Sequence, residues 1–302
     1  MKNITRSQKI EKFKQIIKPY ILIAPAIVGI LLFTVYPAIR MVVWSFYDVN
    51  QIHPEKTEFV GLQNFIKLFK SNDFQKALSN TAIYTFWTVV FILLCAVLLA
   101  VWLGKKRDKL SRFTQTAMFL PHIISMMSVA LIFSQMMGVN NGLFNAILTG
   151  LGFEACEWTQ SSDTALMSVI IVAVWKAIGY YTVILIGALQ SIPDSIYEAA
   201  ALDDAGKFVT LRKITIPMIS PQLFFTLIIM TIGSFKVFET IRVMTAGGPN
   251  NATTSIVYFI YTQVFSKYDI GRAAAGGTVL LVIVGVLTAI YFLSFSKKVH
   301  YQ

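Results

Sequence analysis

Residues 195–221 read SIYEAAALDDAGKFVTLRKITIPMISP, a polar, charged insert in a chain otherwise built of long apolar runs. Ser195 followed by Glu198 fits a capping box, in which the serine accepts from an orphan N–H and the glutamate reaches back to the cap. Ala199, Ala200 and Ala201 favour helix and leave a smooth face that a partner can approach closely. Asp203-Asp204-Ala205-Gly206 offers a turn, because Asp tolerates the left-handed conformation and Gly adopts it freely. A second short helix follows, with Phe208, Leu211 and Ile214 on one side, and runs into Pro217 and Pro221. The stretch predicts a helix–turn–helix with no lipid-facing character, attached to a membrane body. It reads as a docking surface.

Composition sets the class of that body. Of 302 residues, 56% are hydrophobic and 14% charged, and the mean hydropathy is +0.65. A water-soluble domain cannot cover that much apolar surface, so the solvent is mostly lipid. The two cysteines, Cys95 in an apolar run and Cys156 in a polar loop, form no disulfide framework, CxxC or zinc pattern. The histidines, His53, His122 and His300, are scattered over a loop, a span and the tail, and no metal site is expected.

Apolar runs near 20–46, 80–103, 114–137, 164–190, 220–244 and 273–295 are each long enough to span. A helix needs about 20 apolar residues to cross roughly 30 Å of hydrocarbon. The expectation is an all-α polytopic membrane protein with about six transmembrane helices. Pro121 and His122 interrupt the third run; neighbouring helices can satisfy the backbone groups that a kink there frees. Ala24-Pro25-Ala26 imitates a peptidase site, but apolar sequence continues past it, so the first run reads as an anchor.

Lysine and arginine set the expected orientation. Sixteen lie in residues 1–18, 104–113, 191–213 and the tail, against six in loops 47–79, 138–163 and 246–272. The richer side belongs in the cytoplasm. Residues 1–18 are then a cytoplasmic segment, 19–296 the membrane domain with its polar loop at 191–221, and 297–302 a cytoplasmic tail. The net charge of +11 is thereby explained by topology, and a nucleic-acid partner is not expected.

Chemistry-bearing motifs are few. Gly206-Lys207 is followed by Phe208 and lacks the upstream glycine of a phosphate-binding loop, so any ATP must be bound by another chain. No nucleophile–base set lies within the spans, and the chain is not expected to be an enzyme. Lys176, Lys236, Glu239 and Arg242 are charged residues inside spans, where charge is costly and usually faces a bundle interior or wet cavity. Lys176 and Lys236 sit roughly 20–25 Å from the end carrying the polar insert, at about 1.5 Å per residue. Lys236, Glu239 and Arg242 recur every three residues, so on a continuous helix they share a face and can pair. Trp175, Tyr180 and Tyr181 lie beside Lys176, and aromatic platforms mixed with hydrogen-bonding groups suit a sugar. Two readings stand open: structural ion pairs with an interfacial aromatic belt, or a substrate pathway through Trp175, Lys176, Tyr180, Tyr181, Lys236 and Glu239.

Loop chemistry joins the argument at VGLQNF (60–65), Asn80-Thr81 and Gly247-Gly248-Pro249-Asn250, which mark ordered loops on the outer face. With YPAIRMVVWSFYD (36–48), the Glu198-Ala199-Ala200 loop about 100 residues from the C-terminus, AGGPNNATTSIVYFIYTQVF (246–265) and the GRAAAGG after it, the chain resembles the integral-membrane permeases of binding-protein-dependent ABC importers. Within them it is similar to the carbohydrate-uptake class that handles oligosaccharides and glycerol phosphate.

That resemblance implies a type I importer permease fold in a bacterial inner membrane, with both termini cytoplasmic. It implies four kinds of partner: a second, related permease, two cytosolic ATPase subunits that hold ATP and Mg, an extracytoplasmic binding protein, and a sugar. This chain itself would carry no cofactor. The loop Glu198, Ala199, Ala200, Asp203, Asp204, Ala205, Gly206 is implied to couple ATPase closure to the membrane helices. Arg212 and Lys213, before Pro217, are implied to bridge to ATPase acids. The family usually carries glycine where Asp204 stands; the turn is expected to survive, since Asp is among the few other residues tolerated there. The alternative is an ion-coupled secondary carrier, which would show an internal repeat and a midplane carboxylate array.

Overall fold

A computed structural model describes residues 6–50, 53–104 and 108–295. The basic cluster Lys105, Lys106, Arg107 and the tail 297–302 lie outside the described residues. Fifteen α-helices and one two-stranded ribbon make up the described chain. Five helical stretches are long and apolar enough to cross a membrane: Lys18–Trp44, Asn72–Gly104, Ala165–Gln190, Ser220–Met244 and Ile270–Ser294.

The first stretch is α1 (Arg6–Ile30), a π-turn at Leu31–Val35 and α2 (Tyr36–Trp44). The π-turn has a local cause. Pro37 lacks an N–H and its ring would strike the carbonyl four residues back, so the chain inserts one residue and the Tyr36 N–H bonds to the Leu31 carbonyl. The ribbon β1 (Tyr47–Asp48) and β2 (Glu58–Phe59) pairs antiparallel with Tyr47 opposite Phe59. Next come α3 (Gln63–Lys70) and the long α4 (Asn72–Gly104).

The third apolar run is not one straight span. It forms α5 (Lys109–Ile123) and α6 (Met126–Met136), bent by 97°. Pro121 lies inside α5, and the chain turns just after it, through extended backbone at Ile124 and Ser125. Then follow α7 (Leu143–Gly150), α8 (Ala165–Gln190), the short α9 (Asp194–Leu202) and α10 (Lys207–Thr210). A second π-turn, Leu211–Thr215, precedes α11 (Ile216–Met218), and again its cause is a proline, Pro217: the Ile216 N–H reaches back to the Leu211 carbonyl.

The fifth run is α12 (Ser220–Phe235) and α13 (Glu239–Met244), interrupted at 236–238. This corrects the expectation that Lys236, Glu239 and Arg242 share one helix face: Phe238 takes φ −142° and ψ −58°, which breaks the helical register. The chain closes with α14 (Ile256–Phe265) and α15 (Ile270–Phe295).

Small side chains let these helices approach. Ala96, Ala100 and Leu103 of α4 meet Leu185 and Ile186 of α8 in one buried cluster. Gly179 of α8 is closer still: a Cβ there would collide with the backbone carbonyl of Met118 in α5. In a membrane, where no hydrophobic drive separates helix from lipid, such close backbone contact is what joins helices. A second cluster unites α4, α8, α14 and the interrupted segment through Tyr84, Val169, Ala173, Val237, Ile241 and Tyr258.

Candidate functional site

Two regions carry polar chemistry: the α9–α10 hairpin at one end of the bundle, and a cleft beside the α12–α13 interruption. In the hairpin, α9 starts two residues earlier than a Ser195 cap would allow. Pro193 is the N-cap, Asp194 is the first helical residue, and no side chain caps the start, so the expected capping box of Ser195 and Glu198 does not form. Asp194 in the first turn complements the helix dipole instead.

The end of α9 is a Schellman motif. The Ala205 N–H bonds to the Ala200 carbonyl at 2.9 Å and the Asp204 N–H to the Ala201 carbonyl at 3.2 Å. Asp204 takes the left-handed conformation at φ +50°, whereas Gly206 sits at φ −60°. The turn thus falls on Asp204 and not on Gly206. Tyr197 anchors the hairpin to the body through a 3.3 Å hydrogen bond between its hydroxyl and that of Thr215.

Exposure sorts the hairpin residues. Glu198, Ala199, Asp203, Arg212 and Lys213 are exposed, while Pro217 is half-buried. Ala200 is buried against its own chain, so the exposed small surface is Ala199 and Ala201. Leu202 is 88% exposed and Phe208 71% exposed. Both are large apolar side chains left bare on a polar hairpin.

The cleft, of about 330 Å³, is lined by Tyr84 and Thr88 of α4, Met126 of α6, Tyr181 of α8, and Ser234, Lys236 and Glu239 at the interruption. That size falls within the range of small-ligand sites. Lys236 and Glu239 are both exposed to it. They do not pair: among the described residues the ion pairs are His53–Glu55, Asp73–Lys267 and Asp269–Arg272. Arg242 instead lays its guanidinium 5.2 Å from the ring centre of Tyr261.

The remaining pathway candidates do not line that cleft, although Lys176 lies within electrostatic reach of Glu239. Lys176 donates to the His122 carbonyl at 2.9 Å. Tyr180 stacks on the His122 ring at 4.0 Å and 7°. Trp175 packs against Phe133 at 5.0 Å. Of the six, Tyr181, Lys236 and Glu239 share the cleft, while Trp175, Lys176 and Tyr180 attach α8 to α5 and α6. Sequence reasoning passed over Tyr84 and Thr88. Their signal was present in the row of Thr81, Thr85 and Thr88, polar residues at helical spacing in an apolar span. No group of three or more His, Cys, Asp or Glu among the described residues is disposed to hold a metal ion.

At the far end of the bundle, loop 245–255 is wired to α4. Asn80 donates to the carbonyls of Asn251 and Thr254 at 2.8 and 3.1 Å, and Asn251 donates to Asp73 at 3.0 Å. Gly247 at φ +83° cannot be replaced cheaply, because a Cβ would strike Thr254 and Tyr258.

Residues 89–300 match the model of a family described as binding-protein-dependent transport system inner membrane component. The chain is 36% identical over 268 residues to the probable ABC transporter permease protein YurN of Bacillus subtilis, covering 88% of this chain and 91% of that one. It is 32% identical over 274 residues to the arabinooligosaccharides transport system permease protein AraP of the same organism, covering 90% and 86%. The fold is similar to a chain in the crystal structure of a bacterial alginate ABC transporter in complex with an alginate pentasaccharide-bound periplasmic protein. That match has a TM-score of 0.83 and 24% identity, over 97% of this chain and 98% of the other.

Proposed function

The chain belongs to the binding-protein-dependent transport system inner membrane components, and from that premise we propose that it is a sugar-importing permease whose α9–α10 hairpin receives the ATPase stroke. The observation that carries the reading is the hairpin itself. It is a short helical element closed by a Schellman turn, tied to the body by Tyr197 and Thr215, and it presents Leu202 and Phe208 bare. A cytosolic ATPase cleft would cover those side chains, with Ala199 allowing close approach and Arg212 and Lys213 meeting acids at its rim.

The chain lacks a phosphate-binding loop motif, so ATP and Mg belong to two partner ATPase subunits. A second, related permease completes the pathway, and an extracytoplasmic binding protein delivers the solute to loops 47–79 and 246–272. The basic bias of the hairpin end supports a cytoplasmic hairpin and cytoplasmic termini. Within this chain the cleft of Tyr84, Tyr181, Lys236 and Glu239 is the solute contact: rings for the C–H faces of a sugar, hydroxyls and charges for its hydroxyls. An oligosaccharide solute is supported by that chemistry and by the arabinooligosaccharide permease among the relatives.

The test is co-expression with the partner subunits, followed by ATPase pull-down and ATP-driven uptake. Ala199→Glu and Leu202→Glu place charge on the exposed face and are expected to leave the chain in the membrane while stripping the ATPase from it. Normal uptake in both variants would sink the coupling assignment. Uptake by this chain without any ATPase would favour an ion-coupled carrier.

A further inference from the structure

We propose that Ser255 is a positioning residue that holds the interrupted segment 236–238, and with it Lys236 and Glu239, in the cleft, and ties that segment to the loop at the far end of the bundle. The inference rests on the reading of the cleft as the solute contact. Val237 belongs to neither α12, which ends at Phe235, nor α13, which begins at Glu239. Its carbonyl falls in the gap between the two helical ladders, in a residue of a buried cluster, where an unpaired carbonyl is costly. Ser255 supplies a donor from 18 residues away: its Oγ donates to the Val237 carbonyl at 2.8 Å.

The same hydroxyl is the N-cap of α14, accepting from the Tyr258 N–H at 3.1 Å. A hydroxyl has one proton and two lone pairs, so both bonds form at once. Ser255 is 1% exposed and is the last residue of the loop 246–255. Its neighbours are fixed just as firmly. The Ile256 N–H donates to the Thr81 hydroxyl at 2.9 Å, and the Thr254 hydroxyl donates to the Gly247 carbonyl at 3.1 Å. A push on the loop therefore reaches Val237 through one side chain, and Val237 stands directly beside Lys236 and two residues before Glu239. Nothing in the sequence joins these positions; the hydrogen bond does.

The experiment uses the full complex in membranes, with Cys95→Ser and Cys156→Ser removing native thiols and Ser234→Cys placing one in the cleft. The readout is the rate at which a small, water-soluble methanethiosulfonate modifies position 234, together with ATPase stimulation by the binding protein. Ser255→Thr keeps the hydroxyl, and Ser255→Val has the same shape without it. The expected result is a wild-type labelling rate for Thr and a rate changed by at least about fivefold for Val, with stimulation lost in parallel. Indistinguishable Thr and Val variants, both wild-type or both impaired, would overturn the proposal, because the hydroxyl would then not be what orders the segment. Uptake by the Glu239→Gln complex with Ser255 intact tests the solute-contact reading separately, so the two can fail independently.

Discussion

The Lys176 ammonium donates to the carbonyl of His122 at 2.9 Å, joining the middle of α8 to the last turn of α5 immediately before the chain bends by 97°. In a straight helix that carbonyl would accept from the N–H of Met126, which starts a new helix across the bend. An orphan carbonyl at membrane depth is costly, and an ionised donor offsets more of that cost than a neutral one. The stacked rings of His122 and Tyr180 and the bare approach of Gly179 to Met118 complete the joint. Lys176→Met is expected to destabilise the complex by about 1–3 kcal/mol. The apparent Tm of the purified complex would fall while the sugar concentration for half-maximal uptake stays put. An unchanged Tm with a raised half-maximal concentration would return Lys176 to the solute path.

Glu239 is expected to behave oppositely. It lies exposed in the cleft and forms no direct ion pair among the described residues, its charge reaching Lys176 only at longer range. Glu239→Gln preserves shape and removes charge. Uptake is expected to change at least several-fold, with subunit assembly and apparent Tm intact. Loss of assembly in that variant would assign Glu239 a structural role.

The contrast between these residues explains how far the sequence could be read. Runs of apolar residues reveal spans because length and composition alone decide whether a helix can sit in lipid. The hairpin at 194–210 stands out because its polarity departs from everything around it. Each π-turn precedes a proline, Pro37 or Pro217, so a local rule covers it. The interruption at 236–238 has only a weaker local mark, Gly233-Ser234 just upstream. Lys236-Val237-Phe238 contains neither proline nor glycine, and its carbonyl is satisfied by Ser255, a residue no periodicity connects to it. Periodic reasoning therefore placed Lys236, Glu239 and Arg242 on one face that does not exist. The capping box failed for a related reason: Pro193 starts α9 early, and Ser195 falls inside the first turn.

Gly179 offers a test of the α5–α8 joint that leaves polar chemistry alone. A Cβ at this position meets the Met118 carbonyl and the Phe119 nitrogen, both backbone, so no side chain can swing aside. Gly179→Ala removes a flexible residue from a helix, which by propensity alone would stabilise it by about 1 kcal/mol. Overpacking is expected to win, with a net loss of about 1–3 kcal/mol. Gly187, eight residues along the same helix, has nothing within 4 Å of its would-be Cβ. Gly187→Ala is the matched control and should raise the apparent Tm or leave it unchanged. Equal behaviour of the two alanine variants would remove the close contact from the account.

Asp204 gives the sharpest test of the hairpin geometry. At φ +50° it occupies a conformation that costs an ordinary L-residue roughly 1–2 kcal/mol. Its carboxylate also sits at the negative end of α9. Asp204→Gly is expected to stabilise the turn by up to about 1 kcal/mol, because glycine adopts the left-handed region without steric cost. Asp204→Val is expected to open it, since branching at Cβ adds to the strain. Hydrogen exchange at the Ala205 amide, which donates to the Ala200 carbonyl at 2.9 Å, reads the turn directly. Exchange should slow in the glycine variant and quicken in the valine variant. ATPase coupling should survive the first and fall with the second. Faster exchange on Asp204→Gly would mean that the Asp204 side chain itself, and not the backbone conformation it tolerates, holds the turn closed.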